Sequence, residues 1–220
     1  MVRANYFFDN LKNKFDILAN KSDLDKNLFF KLLNFYSHPK REYHNLRHIY
    51  ECLNEFESAK HLIEKKEETE IAIWFHDAIY DVNLGNNEEK SAELACEILK
   101  EQRFKTYNDV SDLILATKHN LILPELAENF DTRALMDIDL SILGKPEEDF
   151  FDYEKGIKME YFPVLRNLTE KEFKIGRVGF LFKLLSRIYE HNLYQTSFFR
   201  DKYEAQAKSN LEKSLKLLCD

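Results

Sequence analysis

The sequence predicts an all-α protein, and three observations carry that prediction. Only 5 Gly and 4 Pro occur in 220 residues, well short of the usual usage of about 12%, whereas multi-stranded sheets consume turn glycines. Apolar residues recur at intervals of three and four, as in Leu28, Leu32 and Phe35 or Phe180, Leu184 and Ile188, which gives each helix one buried face. The chain is 44% hydrophobic and 14% aromatic, enough apolar material for a sizeable core and against disorder.

Read in order, helical patterns run from Tyr6 to Ala19, Ser22 to Tyr36, Asn45 to Ile63, Glu67 to Tyr80, Asn87 to Gln102, Asn108 to His119, Asp131 to Leu143, Pro146 to Asn167, Arg177 to Tyr189 and Asp201 to Leu218. Ser22, with Asp25 three residues on, reads as a helix start. Asn45 reads as an N-cap, Gly85-Asn86-Asn87 as a break, and Pro146 after Gly144 as a first-turn proline. Glu88 and Glu89 read as first-turn acids that favour a helix start. No internal repeat, low-complexity segment or long linker divides the chain. One domain over 1–220 is the economical reading at this length, with two closely packed halves as the alternative.

The same arithmetic excludes several functional classes. Gly85, Gly144, Gly156, Gly176 and Gly179 form neither a dinucleotide fingerprint nor a P-loop. With 32 basic and 39 acidic residues the formal charge is −7 and the pI about 5.6, so no overall cationic field attracts a nucleic-acid polymer. Cys52, Cys96 and Cys219 are odd in number and widely spaced; they read as free thiols in a reducing compartment, small apolar fillers by type. No apolar run reaches membrane-spanning length, and Asp9 and Lys12 interrupt the N-terminus where a signal peptide needs its apolar stretch. A cytoplasmic protein is expected, and oligomeric state is not encoded in any pattern.

The ionisable residues do not all fit a bland bundle. On a helix, the residues at i±3 and i±4 share a face. His76 then sits among Ala72, Ile73, Ile79 and Tyr80, and His119 among Leu115, Ala116, Ile122 and Leu123 if its helix persists. Asp139 has Leu135, Met136, Ile142 and Leu143 around it, whereas Asp137 lies about 200° away on an ideal helix. Asp139 is therefore expected to point inward, with Asp137 its rival if the register differs. Asp77 faces the same apolar surroundings. A carboxylate there is costly unless paired, protonated or bound to a metal. Two such acids and two such histidines can satisfy one another through a divalent cation: Mn, Fe, Co, Ni, Zn or, with more oxygen ligands, Mg. His48 is the better third histidine. His44, ahead of the Asn45 cap, is a neighbour of the ligands or faces the substrate.

His48, the adjacent His76-Asp77 and Asp139, in that order, resemble the H…HD…D signature of the HD superfamily of metal-dependent phosphohydrolases. Further segments fit an uncharacterised bacterial branch of it: Tyr43-His44-Asn45, Trp74 to Asp81, Ala116 to His119, Met136 to Gly144 and Gly176-Arg177. The resemblance runs from about Tyr43 to Leu211, with core motifs at about 43–190. It implies a helical bundle of roughly ten helices with the metal held between helices. It implies His48, His76, Asp77 and Asp139 as ligands of one divalent ion, which activates water to cleave a phosphate ester or anhydride. Asp81 matches an acid that assists this water in some branches, although Tyr80 stands where those branches carry Glu. His119 matches a histidine placed beside the metal. Lys118, Arg177, Arg47 and Arg187 are available for phosphate.

The implied substrate is a nucleotide or related small phosphorylated metabolite, with neither a membrane nor a nucleic-acid polymer as partner. Two other functions compete. One is a non-catalytic module that binds a nucleotide or a partner and keeps the metal as structure. The other is a di-iron oxygenase of HD type, which needs more histidines from later helices than His119 and His191 supply. The aromatic tail, Tyr189, Tyr194, Phe198, Phe199 and Tyr203, reads as core in preference to a base-stacking pocket.

Overall fold

The computed structural model describes residues 2–118, 129–162 and 169–219, with side chains from residue 7 onward. Among these residues there are ten α-helices and no strand, so the all-α expectation holds. The chain divides into two compact units, Met1–Lys118 and His119–Asp220.

The first unit contains α1 (Val2–Ser22), α2 (Leu28–Tyr36), α3 (Leu46–Ala59), α4 (Lys66–Phe75), α5 (Asn87–Glu101) and α6 (Tyr107–Ala116). Helix α4 is its centre, packing on α1, α3, α5 and α6. Its sequence explains that position: Ile71, Ala72, Ile73, Trp74 and Phe75 are all buried, so this helix is apolar on every side where it passes through the core. Trp74 meets Phe15 edge to face at 5.3 Å and Phe29 at 6.1 Å, a favoured arrangement of ring quadrupoles.

Helix ends show how a chain with few glycines turns. Asp23 (φ 54°) and Arg103 (φ 60°) occupy the left-handed region where glycine is usual. After each, an amide reaches back to close the helix: Leu24 N donates to Ala19 O at 3.0 Å, and Phe104 N to Leu99 O at 2.9 Å. Both are Schellman closures built on non-glycine residues. Ser22 is therefore the last residue of α1, not the start of α2, because Asp23 and Leu24 close that helix before α2 begins at Leu28.

The second unit contains α7 (Phe130–Asp139), a 3-10 turn (Leu140–Gly144), α8 (Glu147–Tyr161), α9 (Glu170–Glu190) and α10 (Ser197–Cys219). Helix α10 packs on the 3-10 turn, α9 and α7. Asn210 Nδ2 donates to Leu143 O and Lys145 O, both at 2.9 Å, and Tyr194 OH to Leu140 O at 3.1 Å. These bonds satisfy carbonyls that the end of the turn leaves open. Gly144 lies so close to Tyr203 that an added Cβ would sit 2.5 Å from the Tyr203 Cβ. Tyr194, Phe199 and Tyr203 are buried, so most of the aromatic tail is core. Tyr189 is exposed, with its hydroxyl donating to Glu212.

Two further helices differ from the sequence pattern. Helix α9 begins seven residues before Arg177 and runs through Gly176 and Gly179. A capping box drives it: Thr169 Oγ1 accepts from Glu172 N at 3.2 Å, while Glu172 Oε2 accepts from Thr169 N at 2.8 Å. Helix α4 stops at Phe75, so His76 and Asp77 lie just beyond its end and not within it.

Candidate metal centre

Within the first unit, three short stretches of chain converge. Asn45 caps α3 as its sequence predicts, its side chain accepting from Arg47 N at 2.8 Å. His44 is thereby left ahead of the helix, and His48 enters the first turn, buried at 3% exposure. Cys52 follows four residues later on the same face, also buried.

The end of α4 supplies the other two groups, and its carbonyls can be followed one by one. Ala72 O accepts from His76 N at 2.9 Å. Ile73 O lies 2.9 Å from His76 Nδ1, and Trp74 O accepts from Tyr36 OH at 3.0 Å. Phe75 O accepts from Ala78 N at 2.9 Å. Beyond them the Arg41 guanidinium donates to Asp77 O at 2.6 Å, Ala78 O at 2.9 Å and His44 O at 3.1 Å. Arg41 additionally lies over the rings of Tyr36 and Tyr80, at 5.3 and 5.7 Å.

A carbonyl partner makes Nδ1 of His76 the protonated nitrogen, so the neutral ring turns the lone pair of Nε2 inward. That atom lies 3.1 Å from His48 Nε2. Asp77 Oδ2 is 3.2 Å from His76 Nε2 and 3.5 Å from His48 Nε2. With neutral rings, this triangle of acceptor atoms holds one proton at most, on His48. Ligand atoms that share a zinc-sized ion at about 2.0–2.2 Å stand roughly 2.9–3.5 Å apart across cis to tetrahedral angles. The donor set and its spacing therefore fit a divalent cation. Burial works to raise the Asp77 pKa, but when the rings carry a proton the charges of His76 and His44, a hydrogen bond from His76 and the charge of His48 outweigh it and hold the carboxyl well below its ordinary range.

His44 flanks this triangle. Its ring stacks on Tyr80 at 3.9 Å between centroids and lies 6.0 Å from the His48 ring. Ser91, at 0% exposure, ties the following segment to α5: its Oγ accepts from Ile79 N at 3.0 Å and donates to Ile79 O at 3.2 Å.

Other sequence candidates are placed differently. Asp81 is exposed, and its Oδ1 accepts from the backbone N and side-chain Nδ2 of Asn83 at 2.9 and 2.7 Å. Those two bonds hold its pKa below the ordinary value. Its carboxylate closes an Asx turn, and a base there would have to leave that turn. Lys118 pairs with Glu89, and Arg47 is exposed and paired with Glu51 at 2.8 Å. Arg177, in the second unit, is buried against Glu154 and donates to Tyr153 OH at 2.6 Å. Its fork is occupied by protein partners, which corrects the phosphate-binding expectation. His119 lies outside the described residues.

The two acids of α7 also depart from the helical-wheel expectation. Asp137 is buried at 1% exposure, while Asp139, the last residue of α7, is half-buried. Asp137 Oδ1 accepts from Gln195 N at 2.7 Å, and its Oδ2 from Thr196 N at 2.8 Å and Thr196 Oγ1 at 2.7 Å. Those donors lie at the entry to α10, so the second unit buries Asp137 as a cap. The charge of Asp139 acts on Tyr153 of the same unit.

The surroundings of two residues at the first unit's centre escaped the sequence reading. Cys52 Sγ lies 3.6 Å from His48 Nε2 and 3.7 Å from His48 Nδ1; the His-x-x-x-Cys spacing on one helix face was its only signal. Glu88 is the first-turn acid of α5 that the sequence predicts, but it is also half-buried: burial and the charge of Asp77 raise its pKa against its own backbone hydrogen bond, which lowers it. Comparison with protein-family models, curated proteins and solved structures finds no match, so the centre's own geometry carries its chemistry.

Proposed function

We propose that the chain is a metal-dependent phosphohydrolase of HD type, cleaving a phosphate ester or anhydride of a nucleotide or related small metabolite. The observation that supports this most is the triangle of His48 Nε2, His76 Nε2 and Asp77 Oδ2, with edges of 3.1, 3.2 and 3.5 Å. These three residues would hold the ion. Asp139 is the fourth ligand that the resemblance implies. A bound divalent ion supplies Lewis acidity toward a phosphoryl oxygen and lowers the pKa of coordinated water.

The residues themselves do the positioning. Ile73 O fixes the His76 ring through Nδ1, and the Asp77 carboxylate stays anionic across the neutral range. Arg41 holds the backbone of Asp77 and Ala78 to the segment that carries His44. The stacked rings of His44 and Tyr80 lie beside the triangle, and in this reading the His44 imidazole is the side chain that faces the substrate. With no glycine-rich cradle in the sequence, phosphate recognition falls to such side chains.

The test is phosphate release from a panel of phosphorylated metabolites by purified protein with Mn²⁺, Mg²⁺, Co²⁺ or Zn²⁺, beside His76→Ala and Asp77→Ala. Turnover by the wild type that both variants lose is the expected result. Ligand binding without turnover by any metal form would favour the binding module, and full activity in the double variant would show that the site lies elsewhere.

A further inference from the structure

Tyr80 follows the His76-Asp77 pair, and its neighbours on both sides are pinned to α5. Ser91 Oγ takes both backbone groups of Ile79, accepting from its N at 3.0 Å and donating to its O at 3.2 Å. Asn87 does the same for Asp81: its Oδ1 accepts from Asp81 N and its Nδ2 donates to Asp81 O, both at 3.0 Å. The chain is thus fixed immediately before and after Tyr80. The Tyr80 ring lies flat on the His44 imidazole, with 3.9 Å between centroids and 23° between planes. Tyr43 meets the same imidazole edge to face at 4.9 Å, and Arg41 holds the His44 carbonyl at 3.1 Å. His44 itself lies in the turn ahead of α3, so these neighbours, and not a helix of its own, set its ring. We propose that Tyr80 is a positioning residue for phosphate recognition: α5 sets its ring through Asn87 and Ser91, and that ring holds the His44 imidazole beside the metal triangle.

The inference rests on the reading of the centre above and names what aims its substrate-facing side chain. A side chain on a turn loses rotamer freedom when it meets a ligand, and locking it beforehand removes that cost. Flat stacking fixes both the position and the tilt of an imidazole, which a rounded aliphatic side chain of similar size does not. Phenylalanine keeps the flat face. If Tyr80 only filled space, leucine would serve as well. If it only supported the ligands through Arg41, whose guanidinium lies 5.7 Å from its ring, its loss would be felt in metal affinity.

The experiment is calorimetric titration of inorganic phosphate into the full chain, loaded with Zn²⁺ and freed of excess metal, with Zn²⁺ affinity measured in parallel. His44→Ala and Tyr80→Leu should each weaken phosphate binding about tenfold, as loss of one hydrogen bond to a charged group does, and leave Zn²⁺ affinity unchanged. The double variant should bind no more weakly than either single one, because both remove the same contact. Tyr80→Phe should match the wild type, and Asn87→Ala/Ser91→Ala, which leaves every ring in place, should lose part of the phosphate affinity. In the metal-free chain the His44 ring protons, assigned by their absence from His44→Ala, should resonate upfield under the Tyr80 ring current and return to ordinary positions in Tyr80→Leu. Wild-type phosphate affinity in Tyr80→Leu, additive losses in the double variant, or a parallel fall in Zn²⁺ affinity would each overturn this inference and leave the metal centre standing. Absence of phosphate binding by the Zn²⁺-loaded wild type would overturn the reading of the centre and this inference with it. Should Tyr80→Leu fail to fold, ordinary ring-proton shifts in the wild type, or full phosphate affinity in Asn87→Ala/Ser91→Ala, would still overturn it.

Discussion

Replacing Arg41 by alanine should unsettle the whole centre although Arg41 is not one of its ligands. The side chain donates to three backbone carbonyls, His44 O, Asp77 O and Ala78 O, at 2.6–3.1 Å. A hydrogen bond from a charged group contributes about 1.5–3 kcal/mol, which half-burial and solvent screening reduce to about 1 kcal/mol each. The contacts over Tyr36 and Tyr80 add about 0.5 kcal/mol each at a partly exposed site. The sum is about 4 kcal/mol, and water reaching the freed carbonyls should return about 1 kcal/mol of it, so Arg41→Ala should cost about 3 kcal/mol. With a urea slope of about 2 kcal/mol/M, the denaturation midpoint should fall by about 1.5 M. Zn²⁺ or Co²⁺ affinity, read by competition with a chromophoric chelator, should drop at least about tenfold. Arg41→Lys should recover roughly half of both losses, because an ammonium cannot span three carbonyls as a planar fork does. Two results would refute this reasoning: Arg41→Ala within about 0.5 kcal/mol of wild type with unchanged metal affinity, or full rescue by lysine, which would make charge alone responsible.

Gly144→Ala should lose about 2–3 kcal/mol by overpacking, since the new methyl would lie 2.5 Å from Tyr203 Cβ and 2.8 Å from Tyr203 O; a chemical denaturation midpoint unchanged from wild type would show that α10 shifts freely. Arg177→Met should cost about 3–5 kcal/mol because it leaves Glu154 and Tyr153 facing an apolar chain; a raised KM with unaltered stability would instead return Arg177 to substrate binding. Asp137 has its carboxyl pushed up to about 6 from 3.8 by burial, against the hydrogen bonds from Gln195 and Thr196. Because the folded state holds the proton more tightly, this group's stabilising contribution is full below about pH 4 and is lost as pH rises to about 6. Between 3.8 and about 6 this contribution amounts to about 3 kcal/mol when fully developed. The stability of wild type relative to Asp137→Asn should therefore grow by about 2.3 kcal/mol between pH 6.5 and 4, and a flat difference across that range would refute it.

What the sequence reveals depends on whether the cause is local. The Asn45 cap and the amphipathic faces of most helices are legible because each is decided within one or two turns. The start of α9 is equally local: the Thr169–Glu172 box sets it seven residues before Arg177 and carries the helix through Gly176 and Gly179, residues that lower the apparent helical propensity there. Ser22 misled for the opposite reason: a residue type favoured at helix starts stands at a helix end, where Asp23 takes the left-handed conformation. Asp137 could not be read from its own helix at all. Its burial is made favourable by two amides and a hydroxyl at residues 195 and 196, and a helical wheel records only neighbours within α7.

The His76-Asp77 pair shows why the centre needs a tertiary cause. On a continued helix, adjacent side chains diverge by about 100°, so His76 and Asp77 could not both turn toward His48. The residues around them, Ile73 to Tyr80, contain no glycine or proline to stop a helix, and local propensity would carry α4 onward. Past its end other donors serve the carbonyls: His76 Nδ1 lies at Ile73 O, Tyr36 donates to Trp74 O, Ala78 N to Phe75 O, and Arg41 holds the following Asp77 O and Ala78 O. Leaving the helix lets Asp77 Oδ2 come within 3.2 Å of His76 Nε2. The same histidine both closes the helix through Nδ1 and turns Nε2 into the triangle. Arg41, 36 residues before Asp77 in sequence, thus decides whether two adjacent residues act as one site, and this is the reason its loss should be felt in metal affinity as well as in stability.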